Sequence, residues 1–322
     1  MITELETIQK IKQALDKARR VLVIGHQQPD GDALGALIAL AYYLKSLGKD
    51  YSLFCLDAPV EQYQFLPLVH EVKADPKIFA EKFDVIAVVD SGDLHYAGVD
   101  KLLPKVNNFT LINIDHHASN NFFGDLNLVL PEKSSVSEIV YQLLRLWQFP
   151  INKETATALL NGIIFDTGFF GNAATSLSAL EAASHLLNLG ARHRLINENI
   201  LRNKSLGLLK LWGRAFERLQ FNQKYDLAFT VITQEDLTAC GVSVEASSGI
   251  SNFFNELAGA KIAMVLVQTE DNIIKGSLRT TRDDVDVSRL AMQFGGGGHK
   301  KAAGFTISGQ LIYNEGRWQI TE

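Results

Sequence analysis

An apolar run, Val21-Leu22-Val23-Ile24, ends at Gly25, and the ten residues after it read HQQPDGDALG. A helical apolar pattern then runs from 33 to 47. This order predicts a buried strand, a tight Pro-Asp-Gly turn and a helix. Such a unit commits the chain to an α/β architecture, in which ligand sites lie at the carboxyl ends of the strands. The loop carries His26, Asp30 and Asp32. One imidazole and two carboxylates on so short a loop offer half of a metal site. The commoner use of such residues is structural, with Asp30 as a turn residue and Asp32 as an N-cap. The rest of the chain decides between the two.

The same grammar repeats along the first half. Strands are expected at 51–55, at 84–89 ending at Asp90, and at 110–114 ending at Asp115-His116-His117. Helices are expected over 4–19 and 134–147, so the strands should form a mostly parallel sheet. From 153 to about 213 the pattern is largely helical, interrupted at Asp166-Thr167-Gly168. The stretch 191–213 reads as a helical linker between domains at 1–190 and 214–322. In the second domain strands are expected at 226–232, 261–268, 273–279 and from 304 onward, with helices over 244–257 and 287–294. That domain is expected as a smaller α+β unit.

Composition narrows the function. An apolar fraction of 47% over 322 residues supports real cores in about two domains. Cys55 and Cys240 lie far apart beside apolar residues, which predicts free thiols in a reducing compartment rather than a disulfide or a structural zinc site. The first twenty residues hold no continuous apolar region, and no apolar run approaches the length of a membrane span. A cytoplasmic protein with no membrane partner is expected. A net charge of −5 argues against a general binder of long-duplex nucleic acid. Short anionic substrates stay open, because bound cations offset the acidic charge.

Three strand ends thus carry His26, Asp30 and Asp32, then Asp90, then Asp115, His116 and His117. Asp166 follows the apolar run Ile163-Ile164-Phe165. A carboxylate arriving after a buried run is costly unless it is paired or coordinates something. One arrival is explained by a cap or a turn; four in one domain supply ligands for two divalent cations. Two cations can polarise a phosphoryl oxygen, activate water and stabilise a leaving oxygen. Mixed His and carboxylate ligation suits Mn²⁺ better than Mg²⁺. Late in the chain four glycines precede His299, Lys300 and Lys301. Successive glycine N–H groups can form an anion nest, with further attraction if a helix begins after it. Arg279 and Arg282 lie on the strand-like GSLRTTR, and Arg suits bidentate phosphate contacts.

Five motifs in order, HQQPDGDALG, VVDSGD, DHHASN, IIFDTG and GGGGHKKAAG, resemble the DHH phosphoesterase superfamily, the last its DHH-associated substrate domain. Within it the chain is most similar to the oligoribonuclease/pAp phosphatase (nanoRNase) branch. The resemblance implies that His26 and Asp30 hold one metal, that Asp32, His116 and Asp166 hold the other, and that Asp90 bridges both. It implies that Asp115 orients a histidine and that His117 faces the substrate phosphate. Arg279, Gly296, Gly297, Gly298 and His299 would grip the substrate. The implied activity is Mn²⁺-dependent hydrolysis of short RNA oligonucleotides to 5′-mononucleotides, of 3′-phosphoadenosine 5′-phosphate (pAp) to AMP and phosphate, or both, in a homodimer. Alternatives are a linear or cyclic dinucleotide phosphodiesterase acting on substrates such as pApA, an inorganic pyrophosphatase, and a non-catalytic nucleotide-binding module. Some residues depart from the family pattern. His95 and Tyr96 occupy a stretch where a basic residue is common, Phe165 stands where Thr is common, and Gly171-Asn172 replaces a more polar or basic pair. These departures bear on substrate preference.

Overall fold

The computed structural model describes residues 4–103, 108–201, 204–244, 249–254, 257, 259–269, 272–298 and 300–321. Two compact units divide the chain at 203/204. The first holds α1 (Glu4–Lys17), β1 (Arg20–Ile24), α2 (Gly31–Ser46), β2 (Asp50–Phe54), β3 (Val72–Lys73), β4 (Val85–Val89), β5 (Thr110–Asp115), β6 (Leu126–Val129), α3 (Val136–Leu146), α4 (Lys153–Asp166), α5 (Leu177–Asn188) and α6 (His193–Ile200). Its strands form one sheet in the order β3-β2-β1-β4-β5-β6, and every pair in it is parallel. The chain leaves β1 toward β3, then returns to β4 and proceeds to β6. That reversal places a crevice at the carboxyl ends of β1 and β4.

The residues explain the sheet. Val21 to Ile24 and all of β4 are buried, as strands covered on both faces must be. One face packs under α2, α3 and α4 through Val23, Leu34, Leu37 and Leu160. The other is closed by Ile78, Phe83, Ala97 and Val99 over Leu22, Ile24 and Val88. α2 is apolar around nearly its whole circumference and is buried accordingly. Two glycines let the three helices approach. A Cβ on Gly35 would lie 2.5 Å from Ala158 O, and one on Gly162 would lie 2.0 Å from Ser137 Oγ and 2.6 Å from Asp32 Oδ1.

α6 buries Ile196 in the first unit's core, whereas α7 (Leu206–Glu217) buries Leu211 and Ala215 in the second's. The second unit continues with β7 (Gln220–Asn222), β8 (Leu227–Ile232), α8 (Gln234–Cys240), α9 (Gly249–Phe253), β9 (Ile262–Gln268), β10 (Ile273–Arg279), α10 (Val287–Met292), β11 (Gly297–Gly298), β12 (Ala302–Ser308), β13 (Gln310–Asn314) and β14 (Arg317–Thr321). Its main sheet runs β11-β12-β10-β9-β8-β7, with β8 and β9 parallel and the other pairs antiparallel. β13 and β14 form a separate hairpin. Within the helix expected over 244–257 the described helix is α9 alone; 245–248 and 255–256 lie outside the described residues. Among the described residues no helix follows the glycine run, so the further attraction that a helix start would give a phosphate does not arise there. The chain instead turns into β12, because β11 pairs directly against it. A Cβ on Gly296 would lie 2.1 Å from Gly304 O, and one on Gly298 (φ +139) 2.6 Å from Ala302 O. No described helix is long and apolar enough to cross a membrane.

Candidate metal centre

β1 and β4 are hydrogen-bonded neighbours, so the residues just beyond them, His26 and Asp90, must meet. His26 is buried, and its Nδ1 lies 2.6 Å from Gln27 O. Donation from Nδ1 to that carbonyl leaves the Nε2 lone pair free to ligate. Nε2 is 3.6 Å from Asp30 Oδ2 and 3.7 Å from Asp90 Oδ2. The ring stacks on Tyr96, with centroids 5.0 Å apart.

Asp30 and Asp32 divide differently from the structural reading of the turn. Asp30 is the N-cap of α2: it is extended (φ −99, ψ −167), and its side chain accepts from the N–H groups of Asp32 and Ala33. The cap uses Oδ1, so Oδ2 remains directed at His26. Asp32 is fully buried, and its oxygens accept from Val136 N at 2.6 Å and Ser137 N at 2.8 Å. Those are first-turn amides of α3, whose helix dipole favours a negative charge there. Two helix N-termini therefore converge on this loop.

Asp90 follows β4 with φ +59, a left-handed conformation that Asp adopts more readily than most residues. Its N–H donates to Ile114 O, which ties the turn to β5. Oδ1 lies 3.6 Å from His116 Nε2, and His116 Nε2 is in turn 3.3 Å from Asp166 Oδ2 at the end of α4. Asp115 takes no place among the metal-capable triads. Its Oδ1 is 2.8 Å from His117 Nδ1, and its Oδ2 accepts from Asn120 Nδ2 at 2.7 Å. Asn120 was not singled out from the sequence. It is buried, donates also to Ser91 O, and accepts from Asn113 and Phe122 N. The only signal for it was an Asn placed just after two histidines at a strand end.

Three triads of described residues have ligand atoms within 4.8 Å of one another: His26/Asp30/Asp90, Asp32/His116/Asp166 and Asp90/His116/His117. The first two share no residue, and Asp90 reaches toward both. Burial and the charges of Asp32, Asp30 and Asp166 push the Asp90 carboxyl well above the usual range. Burial, then Asp32 and Asp30, do the same to Asp166. Asp32 is also raised, chiefly by burial. Burial works against ionised Asp30 as well, but the hydrogen bond and charge of His26 hold it below its usual value. Among the described residues this crowded negative charge faces the imidazoles of His26 and His116. A divalent cation is the group that would relieve the repulsion, and the nitrogen and oxygen donors fit one.

The substrate residues expected late in the chain belong to the second unit. Arg279 closes β10 opposite Ala302, and Gly297 and Gly298 oppose Gly304 and Ala303. Arg279 and the glycines therefore border the start of β12 together. The Arg279 guanidinium donates to Leu278 O, and burial lowers its pKa. Arg282 is engaged by Asp284 and Lys301 by Asp283. His299 lies outside the described residues.

Residues 20–163 match the DHH family, N-terminal domain, and residues 221–315 match the DHHA1 domain. A Thermus thermophilus protein named bifunctional oligoribonuclease and PAP phosphatase NrnA is 30% identical over 289 residues, spanning 90% of this chain and 84% of that one. A Bacillus subtilis protein of the same name is 25% identical over 291 residues, spanning 89% of each. The crystal structure of an exopolyphosphatase-related protein from Bacteroides fragilis aligns at a TM-score of 0.87 and 25% identity, covering 94% of this chain and 91% of that one.

Proposed function

The chain belongs to the DHH family of phosphoesterases, and on that premise we propose that it hydrolyses short RNA oligonucleotides to 5′-mononucleotides and pAp to AMP and phosphate. The His26/Asp30/Asp90 and Asp32/His116/Asp166 triads, with Asp90 Oδ1 3.6 Å from His116 Nε2 of the second, carry this reading. Relatives named for both activities, matched over most of their length, support it. Two divalent cations, Mn²⁺ in preference to Mg²⁺, would be held by His26, Asp30 and Asp90 and by Asp32, His116 and Asp166, and would supply Lewis-acid polarisation of the phosphoryl oxygen and activation of water.

The side chains of this protein prepare the rest. The Gln27 carbonyl and the Tyr96 ring fix the His26 imidazole, the outer support that ligating histidines need. The first-turn amides of α3 fix Asp32. Asp115 orients His117 and keeps its pKa raised against burial, so the imidazolium can hydrogen-bond a phosphate oxygen or protonate the leaving oxygen as the P–O bond breaks. Arg279, Gly296, Gly297, Gly298 and His299 are the residues assigned to gripping the substrate. Cys55 and Cys240 are free thiols, in keeping with a cytoplasmic enzyme. We place it there as a homodimer that takes short substrates rather than long duplexes.

The test is product release from a short RNA, pAp, pApA and pyrophosphate in Mn²⁺. Release of 5′-mononucleotides from the RNA and of phosphate from pAp, abolished by Asp90→Ala, is expected. No turnover of RNA or pAp at confirmed metal occupancy would sink the reading.

A further inference from the structure

A groove of about 320 Å³ opens beside Asp30. Gln28, Asp30, Asp57, Val60, Gln62 and Tyr63 line it, with two small apolar residues between them. We propose that it is a nucleoside subsite, receiving the uncharged sugar and base of the substrate residue whose phosphate lies at the His26/Asp30/Asp90 triad. This rests on the phosphoesterase reading above.

Three observations carry it. Asp30 belongs both to the triad and to the groove wall, so a phosphate at the triad places its attached ribose at the groove mouth. The lining holds two carboxylates and no Lys, Arg or His, so it repels a second phosphate and accepts a neutral group. Its volume is at the small end of the roughly 300–1,000 Å³ of small-molecule sites, enough for one nucleoside rather than a chain.

The wall is preformed. Gln28 N–H donates to Asp57 Oδ2 at 2.9 Å, and Gln64 Nε2 donates to Pro59 O at 3.0 Å. Buried Tyr63 packs edge-on to Phe165, the residue before Asp166, with centroids 6.3 Å apart. Val60, 55% exposed, offers an apolar surface to a base face. Gln62 hydrogen-bonds the Tyr63 hydroxyl, and the Gln28 carboxamide carries both a donor and an acceptor that can meet the edge of any base. The subsite selects for a nucleoside without selecting which one. Pyrophosphate has no neutral group to place in it, and the single ring of an aryl phosphate fills less of it than a ribose and base together.

Val60→Trp fills the groove from an exposed position, and Gln62→Ala removes a carboxamide. Kinetics on an RNA dinucleotide and on p-nitrophenyl phosphate, with saturation-transfer NMR of adenosine, read the outcome. For Val60→Trp the ratio of kcat/KM on the dinucleotide to that on the aryl ester should fall about tenfold, through KM rather than kcat. Gln62→Ala should shift the ratio in the same direction by less. Adenosine should show saturation transfer with the unmodified protein and lose it in Val60→Trp. Unchanged ratios together with no adenosine signal overturn the subsite. Loss of all RNA and pAp turnover by the unmodified protein is a different result: it overturns the phosphoesterase reading, while the adenosine experiment still reports on the groove.

Discussion

Asp90 leaves β4 with one oxygen 3.7 Å from His26 and the other 3.6 Å from His116. Its position was legible in the sequence, because a carboxylate ending the apolar run 85–89 cannot be idle surface. The network around it was not. Asn120, Tyr96 and the amides of Val136 and Ser137 act through neighbours that only the fold brings close. At this scale charge crowding makes a prediction. Burial and neighbouring carboxylates raise Asp90, Asp166 and Asp32 in the folded protein above their ordinary 3.8. An acid that binds its proton more tightly when folded contributes stability fully below its unfolded pKa and loses it as pH rises through the folded value. His26 and His117, raised from 6.5 chiefly by Asp30 and Asp115 against burial, lose their contribution over the range above 6.5. Asp30 and Asp115 are lowered and act in the opposite sense at acid pH, so they add nothing to a decline near neutrality. The chelated protein should therefore be less stable to urea at pH 8 than at pH 6. Mn²⁺ should shrink the difference, and Asp90→Asn should flatten it without metal. A urea midpoint with the same pH dependence in chelator and in Mn²⁺ would refute this.

Among elements, long periodic runs announced themselves and short ones did not. α2 and β4 fall within a few residues of expectation, since a nearly continuous apolar stretch has little choice but burial. β3, β7 and α8 were missed, because two to seven residues carry too little periodicity and are formed by their neighbours. Asp236, which completes the capping box of α8 by accepting from the N–H of the N-cap Thr233 and pairs with Arg214 and Arg218, shows how tertiary contacts make such a helix. The helix crossing beneath the site was equally hidden: nothing in the sequence distinguishes Gly162 from a glycine that merely weakens a helix. In the fold its missing Cβ is the space that Ser137 and Asp32 occupy. Gly162→Ala should cost about 1–3 kcal/mol from overpacking. It should also weaken Mn²⁺ affinity, because Asp32 must shift. Gly213, within α7, has open space at its Cβ position. Gly213→Ala should be neutral or stabilising by up to about 1 kcal/mol and leave Mn²⁺ affinity unchanged. Equal Mn²⁺ titrations for Gly162→Ala and the unmodified protein would show that α4 does not position the site.

The whole molecule separates its tasks by unit. The two cores of 1–203 and the two of 204–322 share no buried residue, so each unit has its own hydrophobic reason to fold. All the metal-capable triads among the described residues lie in the first unit, whereas Arg279 and the glycine run lie in the second. A ligand stabilises only what it binds when folded, by about 2.7 kcal/mol when its concentration is a hundred times its dissociation constant. Multi-unit chains need not unfold in one step. Calorimetry should therefore resolve two transitions, and Mn²⁺ should raise only the one belonging to the first unit. Asp90→Ala should abolish that shift, while Arg279→Ala should preserve it and raise KM for RNA, separating the metal task from the grip on substrate. If Mn²⁺ raised both transitions equally, the two units would be folding as one cooperative body, and metal binding and substrate grip could not be assigned to independent halves.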